Sequence, residues 1–272
     1  MSDRPEIANS IQTGSFLTNY HDIGQGFPLV LLHGSGPGVS AWANWNKLFP
    51  ILKDHFRVIA PDMAGFGYSD RVSGAVYNMN NWVQQVIDLF DALKIDKANL
   101  VGNSFGGALA LSLAIKYPER INKLVLMGSM GVNFPLTYGL DQAWGYTPSE
   151  ANMEELLEIF TYDHSFVSKE LIKTRYESSM QTGFQESFSS MFPEPRQKGV
   201  ENMAGNKAYI RNIPHETLII HGREDRVIPL ENSYQLLQLI DKAQLHVFGR
   251  CGHWTQIERT AEFAQLLLNF FK

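Results

Sequence analysis

Ser104, Asp225 and His253 supply an alcohol, a carboxylate and an imidazole in the chain order nucleophile, acid, base. Such a set makes a reactive oxygen, because the imidazole takes the hydroxyl proton while the carboxylate fixes the imidazole's tautomer. Ser104 lies in Gly102-Asn103-Ser104-Phe105-Gly106, a match to G-x-S-x-G. The apolar Ala98-Asn99-Leu100-Val101 precedes it and the apolar residues 108–114 follow it. That order predicts a buried strand, a tight strained turn and a helix, with Ser104 at the apex and the flanking glycines admitting backbone where a Cβ would collide. Asp225 follows the strand-like Thr217-Leu218-Ile219-Ile220-His221-Gly222, and His253 follows the alternating Gln244-Leu245-His246-Val247-Phe248. All three would meet at the carboxyl edge of a parallel sheet, where α/β folds carry their ligand sites.

Each member has a rival. Glu224 adjoins Asp225 and is a second candidate acid, although a turn leaving a strand points neighbours in different directions. His33, His221 and His246 compete with His253, but two of them border buried strands and read as structural, and His253 alone sits on a Gly-rich loop. Cys251 is two residues from His253, lacks an elbow of its own, and reads as a small buried side chain. The oxyanion hole is expected from the N–H groups of Ser35 and Phe105. Ser35 belongs to His33-Gly34-Ser35-Gly36-Pro37-Gly38, directly after the apolar run Pro28-Leu29-Val30-Leu31-Leu32. A dinucleotide-binding reading of that turn fails on spacing, since Val39 stands at the third glycine position and Pro37 lacks an N–H. No cofactor and no metal is called for.

The elements that must position these residues alternate through the first half of the chain. Strands are predicted near 17–22, 28–33, 56–60, 98–102 and 121–127, with helices near 79–93 and 105–117. From about Val132 to Ile213 no buried strand is expected. Residues 153–160 and 169–176 read instead as amphipathic helices. The expected architecture is an α/β-hydrolase fold: a mostly parallel central sheet with helices on both faces, a core of residues 1–132 and 209–272, and an inserted helical cap over 133–208. Trp144, Tyr146, Phe160, Phe184, Phe188 and Phe192 would form a large apolar patch unless the cap covered something.

At 272 residues and 44% hydrophobic content the chain can bury a large core. A net charge of −5 without a basic run argues against sequence-independent nucleic-acid binding. Met1-Ser2-Asp3-Arg4-Pro5 lacks the layout of a signal peptide, and no apolar stretch reaches membrane-spanning length. One cysteine excludes an intrachain disulfide, so a cytoplasmic location is expected and no membrane partner.

Taken together, these residues resemble the meta-cleavage product hydrolases, the C–C bond hydrolases of aromatic-ring degradation, most closely the 2-hydroxymuconic semialdehyde hydrolases. The likeness runs through His33–Gly38, Ala60-Pro61-Asp62-Met63, Gly102–Gly107, Leu126-Met127-Gly128-Ser129, Met191-Phe192-Pro193, His221–Asp225 and Gly252-His253-Trp254-Thr255-Gln256. The resemblance implies a small-molecule 2-hydroxy-6-oxohexa-2,4-dienoate substrate. Its carboxylate and 2-oxo end would be held by Arg175, Asn44, Asn103 and Trp254, beside Gly34. Residue pattern alone does not separate Arg175 from Arg196.

The implied chemistry has two stages. His253 assists ketonisation with proton delivery to C5, and then the C6 carbonyl is attacked, either through an acyl-enzyme or by water through a gem-diol. Met130, Leu136, Trp144, Met191, Phe192 and Val227 are the expected wall around the C6 substituent, with the bulk of Met130 favouring small groups. Relatives of this kind suggest a homodimer or higher homo-oligomer. The competing functions are a carboxylesterase and a non-catalytic small-ligand receptor on the same fold. A haloalkane dehalogenase would carry aspartate in place of Ser104.

Overall fold

The computed structural model of the chain describes residues 4–72 and 74–272, so the first three residues of the leader stretch read above lie outside it. Eight strands form one sheet: β1 (Asn9–Thr13), β2 (Phe16–Ile23), β3 (Pro28–Leu32), β4 (Arg57–Pro61), β5 (Ala98–Asn103), β6 (Ile121–Met127), β7 (Thr217–Gly222) and β8 (Ala243–Phe248). Their order is β1-β2-β4-β3-β5-β6-β7-β8. β1 and β2 pair antiparallel, as do β2 and β4, and every later pairing is parallel.

The central strands are apolar on both sides because both faces are covered. On β3, Val30 and Leu32 join one core cluster, while Leu29 and Leu31 join the other. β6 divides in the same way, with Leu124 and Leu126 against Val125 and Met127. This period of two turns a continuous hydrophobic run into two buried faces. Each fully buried Leu or Ile contributes roughly 1.5–3 kcal/mol. The helices Met79–Ala92 and Phe105–Lys116 line the first core, and Thr260–Phe270 closes the second.

Between β6 and β7 lie six α-helices and a 3-10 turn, with no strand among the described residues. They are Tyr138–Trp144, Glu150–Phe160, Lys169–Ser179, Phe184–Met191, Gln197–Met203 and Lys207–Arg211. Two of them extend the helices foreseen at 153–160 and 169–176. The starts are capped by side-chain oxygens, Ser149 on Asn152 N–H and Ser168 on Leu171 N–H. Trp144, Tyr146, Phe160, Phe184, Phe188 and Phe192 are all buried, which accounts for their density in an otherwise polar stretch.

β1 was not foreseen, because its sequence NSIQT is largely polar and exposed at the sheet edge. The short helix Ala41–Trp45 also escaped notice, and it matters because it carries Asn44. Ser40 caps it by accepting the Ala43 N–H, and Asp62 accepts the Ala41 N–H at 2.6 Å. Asp62 accepts the Tyr68 N–H and the Asn19 amide as well. Burial pushes its carboxyl up to about 6 against those bonds.

Candidate active site

The elbow is visible in the backbone. Ser104 has φ 55° and ψ −112°, off every region that residues with a Cβ occupy comfortably. A Cβ on Gly102 would overlap the Gly106 carbonyl, and one on Gly106 would overlap the Leu32 and His33 carbonyls. The turn is therefore pressed against the end of β3, bringing the nucleophile strand and the Ser35 loop together. Ser104 N–H donates to Met127 O at 2.9 Å, and Met130 N–H donates to Ser104 O at 3.2 Å.

His253 Nδ1 and Asp225 Oδ2 are 2.7 Å apart. Asp225 Oδ1 accepts the Val227 and Ile228 N–H groups at 2.7 and 2.9 Å, and His221 Nε2 lies 3.3 Å from Oδ2. Burial acts to raise the Asp225 carboxyl, but the charge of His253 and the bonds from His221 and His253 prevail. They hold it well below the usual carboxylate range. Gly128, at φ +48°, lies directly against this pair: a Cβ there would stand 3.2 Å from His253 Nδ1. Ser104 and His253 line the same cavity. No hydrogen bond joins their side chains among the described residues; with Nδ1 committed to Asp225, Nε2 is the nitrogen left for the hydroxyl.

The rivals are used elsewhere. Glu224 accepts the Cys251 N–H and the Arg223 side chain. His33 accepts the Met63 N–H at Nε2, so its Nδ1–H donates to Gly34 O at 2.7 Å. Burial lowers its pKa to about 4, which keeps the ring neutral and this bonding pattern intact. His221 Nδ1 bonds Ser233, and His246 lies on β8 with its ring 4.4 Å from that of Phe248. Cys251 is buried, its thiol pushed up to about 12 by burial and then by the Glu258 charge.

Trans peptide geometry turns the Ser35 N–H away from the Gly34 carbonyl that His33 holds. Neither this N–H nor that of Phe105 has an acceptor among the described residues. Ser35 and Gly34 line the cavity, and Phe105 N–H opens the helix Phe105–Lys116.

The polar side of the cavity consists of groups in contact with one another. Asn103 Nδ2 donates to Asn44 Oδ1 at 3.0 Å, and Gly34 N–H reaches the same oxygen at 3.3 Å. Asn44 Nδ2 and Asn103 Oδ1 are buried without hydrogen-bond partners among the described residues. Arg175 Nη2 donates to Ala43 O at 2.7 Å, and its guanidinium lies 5.3 Å from the Trp254 ring. Burial lowers its pKa to about 10 against the pull of Glu6, so it stays charged near neutrality. No carboxylate stands within ion-pair distance of it among the described residues. Arg196, by contrast, is paired with Asp141 and Glu194, which separates two arginines that pattern had left equivalent.

The expected wall needs correction. Val227 lines the cavity, but Met130, Leu136, Trp144, Met191 and Phe192 do not. Met130 is fully buried in the core cluster, and its backbone N–H supports the Ser104 carbonyl. Trp144 stands one layer back, its indole N–H given to Ser35 Oγ at 3.0 Å and its ring stacked 4.5 Å from Phe192. The apolar lining comes instead from Leu140, Ala143, Met153, Leu157 and Phe160 on the inserted helices, joined by Ile257. The apolar face of 153–160 carried that signal. Gln256 also lines the cavity, donating to Asn44 O at 3.3 Å.

A mostly parallel sheet with a strained serine at a strand–helix elbow, and an acid–imidazole pair beyond later strands, defines the α/β-hydrolase class. A family model described as the alpha/beta hydrolase fold matches residues 28–260. The chain is 57% identical to the 2-hydroxymuconate semialdehyde hydrolase of Pseudomonas sp. (strain CF600), over 98% of this chain and 94% of that protein. It is 55% identical to the 2-hydroxy-6-oxo-2,4-heptadienoate hydrolase of Pseudomonas putida F1, over 97% and 96%. A solved structure of the meta-cleavage product hydrolase CumD from Pseudomonas fluorescens IP01, a serine-to-alanine mutant complexed with acetates, matches with a TM-score of 0.98 at 56% identity, covering 98% of each chain. The chain belongs to the meta-cleavage product hydrolases of the α/β-hydrolase superfamily.

Proposed function

We propose that this chain hydrolyses the C5–C6 bond of 2-hydroxy-6-oxohexa-2,4-dienoates bearing hydrogen or a short alkyl group at C6. The products are 2-hydroxypenta-2,4-dienoate and a carboxylic acid, within meta-cleavage degradation of aromatics. The observation that carries this reading is Arg175: a charged guanidinium with no carboxylate within ion-pair distance among the described residues, on the lining of the cavity that also holds Ser104 and His253. A partly buried cation is compensated by an anion, and a guanidinium can grip a carboxylate through two parallel bonds. The unpartnered amide atoms of Asn44 and Asn103 suit the neighbouring 2-oxygen. The names of the relatives fit, since one acts on 2-hydroxymuconate semialdehyde and another on the 6-methyl analogue.

In the first stage the proton of the 2-hydroxyl is lost and C5 is protonated with the help of His253. This gives a 2-oxo, C3=C4 tautomer. Ser104, deprotonated by His253, then adds to the C6 carbonyl, whose oxyanion accepts the N–H groups of Ser35 and Phe105. As C5–C6 breaks, its electron pair moves through C4 and C3 to the 2-oxygen, and protonation there gives the hydroxydienoate. Water releases the acyl group as the carboxylic acid. Arg175, Asn44 and Trp254 hold the end of the molecule into which the charge spreads, so binding and stabilisation of the leaving group coincide. His253 and His221 keep the Asp225 carboxyl well below the usual carboxylate range. The single buried cysteine suits a cytoplasmic enzyme, and the family likeness supports a homo-oligomer.

Mixing the protein with yellow 2-hydroxymuconic semialdehyde should bleach the colour, and Ser104→Ala should not. Leu140, Met153 and Leu157 line the apolar side of the cavity, and their bulk suits hydrogen or methyl at C6 better than a phenyl ring. Turnover of the three dienoates should therefore favour hydrogen and methyl over phenyl by at least about tenfold. A phenyl preference rejects this part of the proposal.

A further inference from the structure

Glu258 has no basic group within ion-pair distance among the described residues, yet its carboxylate is fully engaged by peptide N–H groups. Oε1 accepts the Gly252 N–H at 2.7 Å, with the Cys251 thiol 3.9 Å away. Oε2 accepts the N–H groups of Tyr162 and Asp163 at 2.9 and 3.0 Å. Tyr162 and Asp163 follow the inserted helix Glu150–Phe160, and the Phe160 carbonyl accepts the Trp254 N–H at 3.1 Å. The residues on both sides of His253 are thus tied to one backbone segment, 160–163. The approach is so close that a Cβ on Gly252 would stand 2.8 Å from the Phe160 carbonyl oxygen. The Phe160 ring completes the contact, 6.1 Å from the imidazole and 5.2 Å from Trp254.

We propose that Glu258 is a positioning residue for C–C hydrolysis, a carboxylate clasp that locks the His253 loop to the end of the cap helix so that cap closure and base placement are set together. The proposal rests on His253 being the base. Asp225 orients the ring from Nδ1, but the loop that delivers the ring is Gly249-Arg250-Cys251-Gly252, which has little stiffness of its own. A carboxylate can accept all three N–H groups at once. An amide keeps one acceptor oxygen and turns an NH₂ toward other donors, so at least one arm of the clasp, to Gly252 or to the exposed Tyr162 and Asp163 N–H groups, is released. The same clasp joins the base to the wall of the substrate cavity, because Phe160 and Trp254 both line it.

Glu258→Gln and Glu258→Ala should lower kcat by about 10- to 100-fold with KM little changed, the cost expected when a catalytic group is misplaced by about 1 Å. Ester hydrolysis, which needs the same base, should fall in parallel. The low-field proton resonance shared by His253 and Asp225 should broaden or shift. A structural role alone would lower the melting temperature while leaving that resonance and the kcat of the folded protein as in the parent, and this result overturns the proposal. If the variants do not fold, hydrogen exchange in the parent protein decides: the amides of Gly252, Tyr162 and Asp163 should open together, and protection factors differing more than about tenfold refute the clasp. His253→Ala run alongside separates the two levels. Retained cleavage there sinks the assignment of the base, whereas lost cleavage with unaffected Glu258 variants sinks only the clasp.

Discussion

Ser104→Ala will bind the dienoate, convert it to its keto tautomer and stop there, with C–C cleavage slowed on the order of 10⁴-fold or more. The substitution removes one oxygen and leaves His253, the Ser35 and Phe105 N–H groups and Arg175 where they are. Ketonisation asks for a proton shuttle and a gripped carboxylate, neither of which Ser104 provides. His253→Ala should slow both stages, so rapid-scanning absorbance separates the two variants by the species that accumulates. Cleavage by Ser104→Ala within tenfold of the parent enzyme would remove the serine from the mechanism. Asp225→Asn should also cost on the order of 10⁴-fold, because an amide presents a donor to Nδ1 and favours the wrong tautomer. With the Asp225 carboxyl held so low, its orienting charge is present throughout the ordinary pH range and is lost only in strong acid.

Arg175→Gln should lower kcat/KM for dienoates by roughly 150-fold, the equivalent of about 3 kcal/mol for a carboxylate deprived of a buried cation. Esters that lack a carboxylate should be cleaved as before. Arg175→Lys should recover only part of the loss, since an ammonium supplies charge without the two-pronged geometry. The fall should appear in kcat as well as KM, because the gripped end is where electrons from the broken bond accumulate. A variant that cleaves dienoates normally, in an enzyme that prefers simple esters, would hand the protein to the carboxylesterase reading.

Much of this site is legible without coordinates, for a local reason. The elbow is written in consecutive residues, and the strands around it are apolar on both faces, so β3, β5 and β7 declare themselves. Asp225 follows because it sits just past such a strand, and His253 because it lies on a Gly-rich loop after the alternating β8. What the chain concealed depends on distant pairing. Arg175 and Arg196 are alike in sequence and differ because only one meets carboxylates. Met130 and Trp144 look like cavity residues by their neighbourhood, but both are buried in the core cluster, and Met153 and Leu157 of the inserted helices line the cavity. Glu258 carries no motif signal at all, because its partners are backbone amides, two of them 96 and 95 residues away in chain order. β1 was missed because an edge strand has one wet face and a polar sequence.

The backbone angles of Ser104 have a consequence for stability. They are close to the mirror image of an ordinary extended conformation, which glycine occupies without cost and an L-residue does not. Ser104→Gly should therefore melt higher than Ser104→Ala, by about 1 kcal/mol, and at least as high as the parent, while turning over nothing. Selection for thermal robustness alone would erase the nucleophile first, so any laboratory evolution of this enzyme must screen for turnover in every round.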